Sequence, residues 1–247
     1  MTTMPRKTRA RRHLALGLLL LVWTGAVPAR AGNVWFEVSG AWNGLAMDDI
    51  NDGTFRFHDT SIDGYDFPDI DGGFGLGFHL GSDIAPGLGF GFSWERQHAH
   101  VEGTDVDVTA KLKLDADVFM GHVYWRPLRG GKFSGGLAGG LGFLAANGVV
   151  DITDGGASYG NLDTSGSDLA GEAMFVAEYA LAANKGLRLT AGWLLAKVAR
   201  VDVGGRRATN EDGSDLALDY SGSTLRLGMI WRFRGGATAR AAPVDVP

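Results

Sequence analysis

The stretch that most constrains this chain runs from Val106 to Trp125. Its even positions (Val106, Val108, Ala110, Leu112, Leu114, Ala116, Val118, Met120) form an unbroken apolar row. Its odd positions (Asp107, Thr109, Lys111, Lys113, Asp115, Asp117) are polar or charged before the row turns apolar at Phe119. A period of two puts the rows on opposite faces of one strand, whereas helical spacing would smear the charges round the whole cylinder. The strand is also far longer than the roughly five or six residues usual in a sheet. If lipid lies along the even row, the charged row faces inward, where ion partners shield it. This arrangement predicts a small membrane-spanning β-barrel filled by side chains.

The first 31 residues stand apart from this pattern. Arg6, Lys7, Arg9, Arg11 and Arg12 precede an apolar run, Leu14 to Val22, and Ala29-Arg30-Ala31 is a small-x-small cleavage site. Together they form an export signal. Thr24, Gly25 and Pro28 leave the run short of the about 20 apolar residues a spanning helix needs. The segment holds six basic and no acidic residues. Removing it from a chain with 23 Lys+Arg and 28 Asp+Glu leaves 17 against 28, a net charge of −11. An acidic exported chain with no basic, aromatic-interleaved patch is no nucleic-acid binder. With no cysteine it has neither disulfides nor thiolate metal sites.

Along the remainder, eight alternating segments appear: Asn33–Ala46, Gly72–Gly81, one beginning at Leu88, Val106–Trp125, Phe133–Ala145, Leu169–Leu181, Leu187–Val203 and one ending at Phe233. Short connections (82–87, 127–132, 183–186) follow the second, fourth and sixth. Longer or protruding polar ones follow the odd-numbered strands, Met47–Asp71 and Asn147–Asp168 among them. That parity is the asymmetry of an outer-membrane barrel, with both ends on the short-turn side. The fold class expected is therefore all-β, an eight-stranded antiparallel up-and-down transmembrane barrel over residues 32–233, with ten strands as the fallback. Residues 234–247 form a disordered tail.

The chain resembles the small eight-stranded outer-membrane proteins of the outer membrane protein A, X and W type, over about Gly32–Phe233. The sharpest piece is Leu225-Arg226-Leu227-Gly228-Met229-Ile230-Trp231-Arg232-Phe233, similar to the terminal strand read by the barrel-assembly machinery. On this resemblance Leu225, Leu227, Gly228, Trp231 and Phe233 carry the assembly signal. It also implies residence in the Gram-negative outer membrane as a monomer among lipid and lipopolysaccharide, delivered by periplasmic chaperones. Fold and compartment follow from such membership, but activity does not.

The inward charges are expected to be Glu37, Glu95, Lys111, Lys113, Asp115, Asp117, Glu172, Glu178, Arg188, Arg200 and Arg226. An eight-stranded barrel is just wide enough for side chains to fill, so they are read as a lumen ion-pair network rather than a pore lining. On that reading Lys113→Ala should lower the unfolding midpoint. Asp69-Ile70-Asp71-Gly72 starts like a calcium loop but lacks the later bidentate Glu. His98 and His100 share a strand face as two metal ligands without a third. No His is followed two residues on by Ser, the pattern of the deacylating barrel enzymes, and no nucleophile elbow occurs. No cofactor is expected. The favoured function is a non-enzymatic barrel with a plugged polar lumen and acidic surface loops, in a structural or adhesive role. The alternative is a narrow channel for small hydrophobic molecules, followed by a lipid A-modifying enzyme.

Overall fold

A computed structural model of the 247-residue chain describes residues 34–51, 55–57, 60–61, 69–105, 108–154, 157–210 and 212–233. The export signal and the tail lie outside the described residues. Eight strands form the wall: β1 Val34–Gly44, β2 Gly72–Ala85, β3 Leu88–Asp105, β4 Val108–Gly130, β5 Phe133–Asp154, β6 Ala157–Ala182, β7 Lys185–Val198 and β8 Gly222–Phe233. Each pairs antiparallel with its sequence neighbour. Val34↔Phe233 through Asn43↔Thr224 joins β1 to β8 and closes the sheet, so no wall strand leaves an unpaired edge to lipid.

At one rim the hairpins are tight, with Ala85 opposite Leu88, Gly130 opposite Phe133 and Ala182 opposite Lys185. The first uses Pro86-Gly87. Proline presets the first turn residue, and Gly87 at φ +83° takes a backbone angle closed to most side chains. At the other rim β3, β4, β5 and β6 run on for 18, 23, 22 and 26 residues. About 9–11 residues suffice to cross a bilayer, so these four strands stand as a sleeve beyond it. Asn147–Asp168, expected as a long loop, is mostly continuous strand. Asn147 pairs with Asp115 on one side and Ser165 on the other, so the ladder carries its glycines and aspartates into the sheet. A short helix, α1 (Asp48–Asn51), turns into the open end of the barrel.

The outside of the wall below the sleeve is a belt of exposed apolar side chains. Leu141 and Leu169 are 79% and 80% exposed, and Phe74, Leu76 and Phe175 lie in the same range. So large an apolar surface needs a hydrocarbon host. Among the described residues no helix is long and apolar enough to cross a membrane.

One expectation is reversed. Lys111, Lys113, Asp115 and Asp117 face outward on β4, and Leu112, Leu114, Ala116, Val118 and Met120 are buried inside. The pairing of β4 has no bulge between Val108 and Trp125, so its faces cannot exchange along the way. Lower down, Phe119, Val123 and Trp125 face lipid, while His122, Tyr124 and Arg126 point inward. Continuing that phase upward puts the lysines on the outer surface, above the belt and in water. Arg200 is likewise outside, its side chain 80% exposed beside Asp215.

Candidate functional site: a closed charged lumen

Inward residues of the wall form two polar layers beneath an apolar one. In the layer nearest the tight hairpins, Glu178 of β6 is the hub. Arg126 of β4 donates to it at 2.7 Å, Arg188 of β7 at 2.6 and 2.9 Å, and Arg232 of β8 closes on its second oxygen. Arg126 also holds Asp83, and Arg188 reaches Glu37 of β1 at 2.6 Å. The Arg188 guanidinium lies 4.1 Å from the ring centre of Trp35, a cation–π contact within a site shut off from water.

The second layer centres on Arg226 of β8. It donates to Glu172 at 2.9 Å and to Glu95, and Asn43 and Gln97 donate to the other Glu95 oxygen at 3.0 and 2.9 Å. His122 pairs with Glu172, and the His79 ring stacks on His122 at 6.1 Å. Room for these long side chains comes from glycine. A methyl on Gly228 would strike the Glu37 carboxylate, and one on Gly140 would strike the His122 ring. Ser39 meets His79 at 3.5 Å, whereas the carboxylate holds His122, so no hydroxyl–imidazole–carboxylate relay forms here.

Above, the interior is apolar. Leu114, Ala116 and Met120 of β4 pack with Leu144, Leu194 and Val198, and Met47 and Ile50 cap them from the α1 segment. The gap left between Ile50, Leu112, Val203 and Leu218 is about 20 Å³, room for about one water molecule.

No protein-family model and no curated protein sequence matches this chain. Among solved structures, the outer membrane protein OprG from Pseudomonas aeruginosa is similar at 15% identity and TM-score 0.52, over 83% of this chain and 97% of that one. This chain folds as a small outer-membrane β-barrel. The attachment invasion locus protein Ail of Yersinia pestis is similar at 16% identity and TM-score 0.40, over 82% of this chain and 99% of that one. The outer membrane protease OmpT from Escherichia coli follows at 9% identity and TM-score 0.39, over 85% of this chain and 100% of that one. Identities this low speak to fold alone.

Within this outer-membrane barrel, Glu37, Glu95, Glu172, Glu178, Arg188 and Arg226 converge in the two polar layers. Lys111, Lys113, Asp115 and Asp117 do not join them. Sequence reasoning passed over Asp83, Arg126, His122 and Arg232 as network members. The signal for Arg126 and His122 was their place on the even row of β4, beside an odd row already apolar from Phe119. Of the residues weighed as metal ligands, Asp69 and Asp71 lie exposed before β2, and His98 and His100 face outward on β3. Among the described residues no three His, Asp or Glu gather as a metal-holding group. In the terminal strand Leu225 and Leu227 face lipid, Gly228 lies under Glu37, and Trp231 and Phe233 sit at the tight-hairpin rim, Trp231 stacked on Phe36.

The outward charges make their own cluster on the sleeve of the barrel. Arg96 donates to Asp115 at 2.8 Å, His98 meets Asp115 at 2.6 Å, and Lys111 reaches Glu102 at 2.9 Å. Partial burial works to raise the Asp115 carboxyl, but hydrogen bonds from Arg96 and His98 outweigh it and hold the group below its ordinary 3.8. A lowered folded value stabilises above the unfolded one, and the benefit is lost as pH falls through the folded value. Asp115→Asn should therefore lower the denaturant midpoint at pH 7 and match wild type at pH values below the folded carboxyl's titration. Asp115 is 38% exposed, so the loss is less than about 1 kcal/mol. A gap between the two proteins that persisted in strong acid would rule this account out.

Proposed function

We propose that this chain is a non-enzymatic, non-conducting barrel of the Gram-negative outer membrane that works through its outer surface. The first 31 residues are removed on export, and the monomeric barrel sits among outer-membrane lipid and lipopolysaccharide. Periplasmic chaperones and the barrel-assembly machinery deliver it, the latter reading the end of β8. The sleeve of β3–β6 then lies outside the cell and both ends of the barrel in the periplasm. The observation that carries this reading is the lumen. Glu178 and Arg188 tie β4, β6, β7, β8 and β1 together across its width, and an apolar plug lies above them. With the interior occupied, contact chemistry is left to the sleeve, where Arg96 and His98 pair with Asp115, Lys111 pairs with Glu102, and His100 and Lys113 stand exposed beside them.

A second reading draws on the apolar upper interior, where Leu112, Leu114, Val203 and Leu218 offer a small hydrophobic molecule a lining once α1 moves aside. One preparation tests both. Reconstituted into planar bilayers, the barrel should show no steady single-channel current. Titrated in vesicles with an apolar fluorophore, it should give no saturable signal. Large stable currents would overturn the plugged lumen, and saturable probe binding lost in Leu114→Asp would favour the second reading.

A further inference from the structure

We infer that the mouth of the barrel at the tight-hairpin rim is a binding site for a small phosphate-bearing anion. The mouth is a cavity of about 390 Å³ between the β4–β5 hairpin and the inner ends of β2, β6 and β8. Its charged lining is Arg126, Arg129, Lys132 and Arg232 against Asp83 and Glu178. Arg126 and Arg232, together with Arg188 deeper in, are matched by Asp83, Glu178 and Glu37 through the ion pairs of the first polar layer.

Arg129 and Lys132 are left over. Both are exposed at the hairpin, which turns at Gly131 with φ +56°, and neither has an ion-pair partner among the described residues. Two uncompensated cations therefore face a concavity whose floor is already neutral. Arg126, a residue 3% exposed, forms part of the floor, its guanidinium held by Asp83 and Glu178. Ser134, opposite Arg129 across the hairpin, lines the same wall and donates its hydroxyl to Glu178 at 3.4 Å.

The Arg129 guanidinium and the Lys132 ammonium bordering one space suit a multiply charged oxyanion. Arginine's planar fork meets phosphate oxygens two at a time, and lysine adds a point charge. The lining is nearly all polar, with Phe133 and Ala180 the apolar exceptions, so an apolar ligand would gain little. The phosphate can come free in solution, as a small polyphosphate, or on the headgroup of an anionic lipid in the adjoining leaflet. The site lies at the end of the barrel opposite the sleeve and does not depend on the surface role proposed above.

The test uses inorganic pyrophosphate as the probe and calorimetry on the whole chain folded in zwitterionic micelles. Saturable binding is expected, weakened by added salt and by about tenfold or more in Arg129→Ser/Lys132→Ser. The charge-conserving pair Arg129→Lys/Lys132→Arg should retain most of the binding. Lys113→Ser, at the far end, should bind as wild type. Heat-modifiable gel migration confirms that each variant is folded. Lipid discs then separate the sources. Pyrophosphate binding equal in phosphatidylcholine discs with and without phosphatidylglycerol means a free anion. Binding suppressed by phosphatidylglycerol more than by an equal mole fraction of oleate, which supplies surface charge without phosphate, means a lipid headgroup, and equal suppression by the two means a free anion. No saturable heat in micelles, or wild-type binding by the doubly substituted Arg129→Ser/Lys132→Ser chain, overturns the site.

Discussion

Glu178→Gln should unfold at a clearly lower denaturant concentration than the wild type, by about 3–5 kcal/mol in stability. Glutamine preserves the volume, so the effect is one of charge. Glu178 accepts from Arg126, Arg188 and Arg232, and its side chain is 3% exposed. Arg126 keeps Asp83 and Arg188 keeps Glu37, but Arg232 has no second carboxylate among its ion pairs. The loss is thus larger than a single neutral hydrogen bond and smaller than three separate buried pairs. Such networks contribute little net stability over a well-packed apolar substitute, yet lose much when one partner goes. Arg188→Met combined with Glu178→Gln should therefore cost less than the two single changes added together. Urea titration in lipid vesicles, followed by tryptophan fluorescence, measures all three proteins. An unchanged midpoint for Glu178→Gln would show that the layer is hydrated and uncoupled, and the plugged lumen would fall with it.

Which parts of this barrel could be read from residues alone follows from where each part sits. Below Phe119 the wall lies in lipid: apolar side chains face outward, and the inward face is mostly small or charged, with Trp35, Tyr124, Met174, Val176 and Ile230 packed among the ion pairs. Phe74, Leu76 and Phe78 against Gly75, Gly77 and His79 state that rule plainly, as do Leu187 and Leu189 against Arg188 and Thr190. The eight strands, the tight hairpins of one rim, and the inward Glu37, Glu95, Glu172, Glu178, Arg188 and Arg226 all belong to this region. Above Phe119 the same strands pass into water, and the rule inverts. There the sleeve is a water-soluble barrel in miniature, with charge outside and leucine, valine and alanine inside. A strand crossing the boundary shows one unbroken period of two but exchanges the chemistry of its rows. Treating β4 as lipid-bathed throughout assigns its upper half to the wrong faces. The turn to apolar at Phe119, with His122 and Arg126 on the other row, marks the boundary in the sequence. Connections were harder still. Asn147–Asp168 has the composition of a loop, and only its cross-strand partners make strand of it: β4 beside its first arm, its two arms beside each other, and Asp202–Val203 beside Thr164 and Ser165.

The inverted sleeve gives the second large effect. Leu114 is 1% exposed in the apolar layer, so Leu114→Ala should cost about 2–5 kcal/mol through lost contacts and the cavity left behind. Lys113, one residue away and exposed with no ion pair among the described residues, should change stability by less than about 0.5 kcal/mol on substitution by alanine. This reverses the order expected if lysine lay in the lumen and leucine in lipid. The chain has no cysteine, so each position can also be probed singly without background. In the folded barrel Lys113→Cys should react rapidly with a membrane-impermeant maleimide, and Leu114→Cys only after unfolding. The adjacent pair shares one backbone segment and one distance from the bilayer, so the contrast reports facing and nothing else. Rapid labelling at 114 with protection at 113 would turn β4 around. It would return Lys111, Lys113, Asp115 and Asp117 to the interior and leave His122 and Arg126 facing lipid, where no partner could hold their charge.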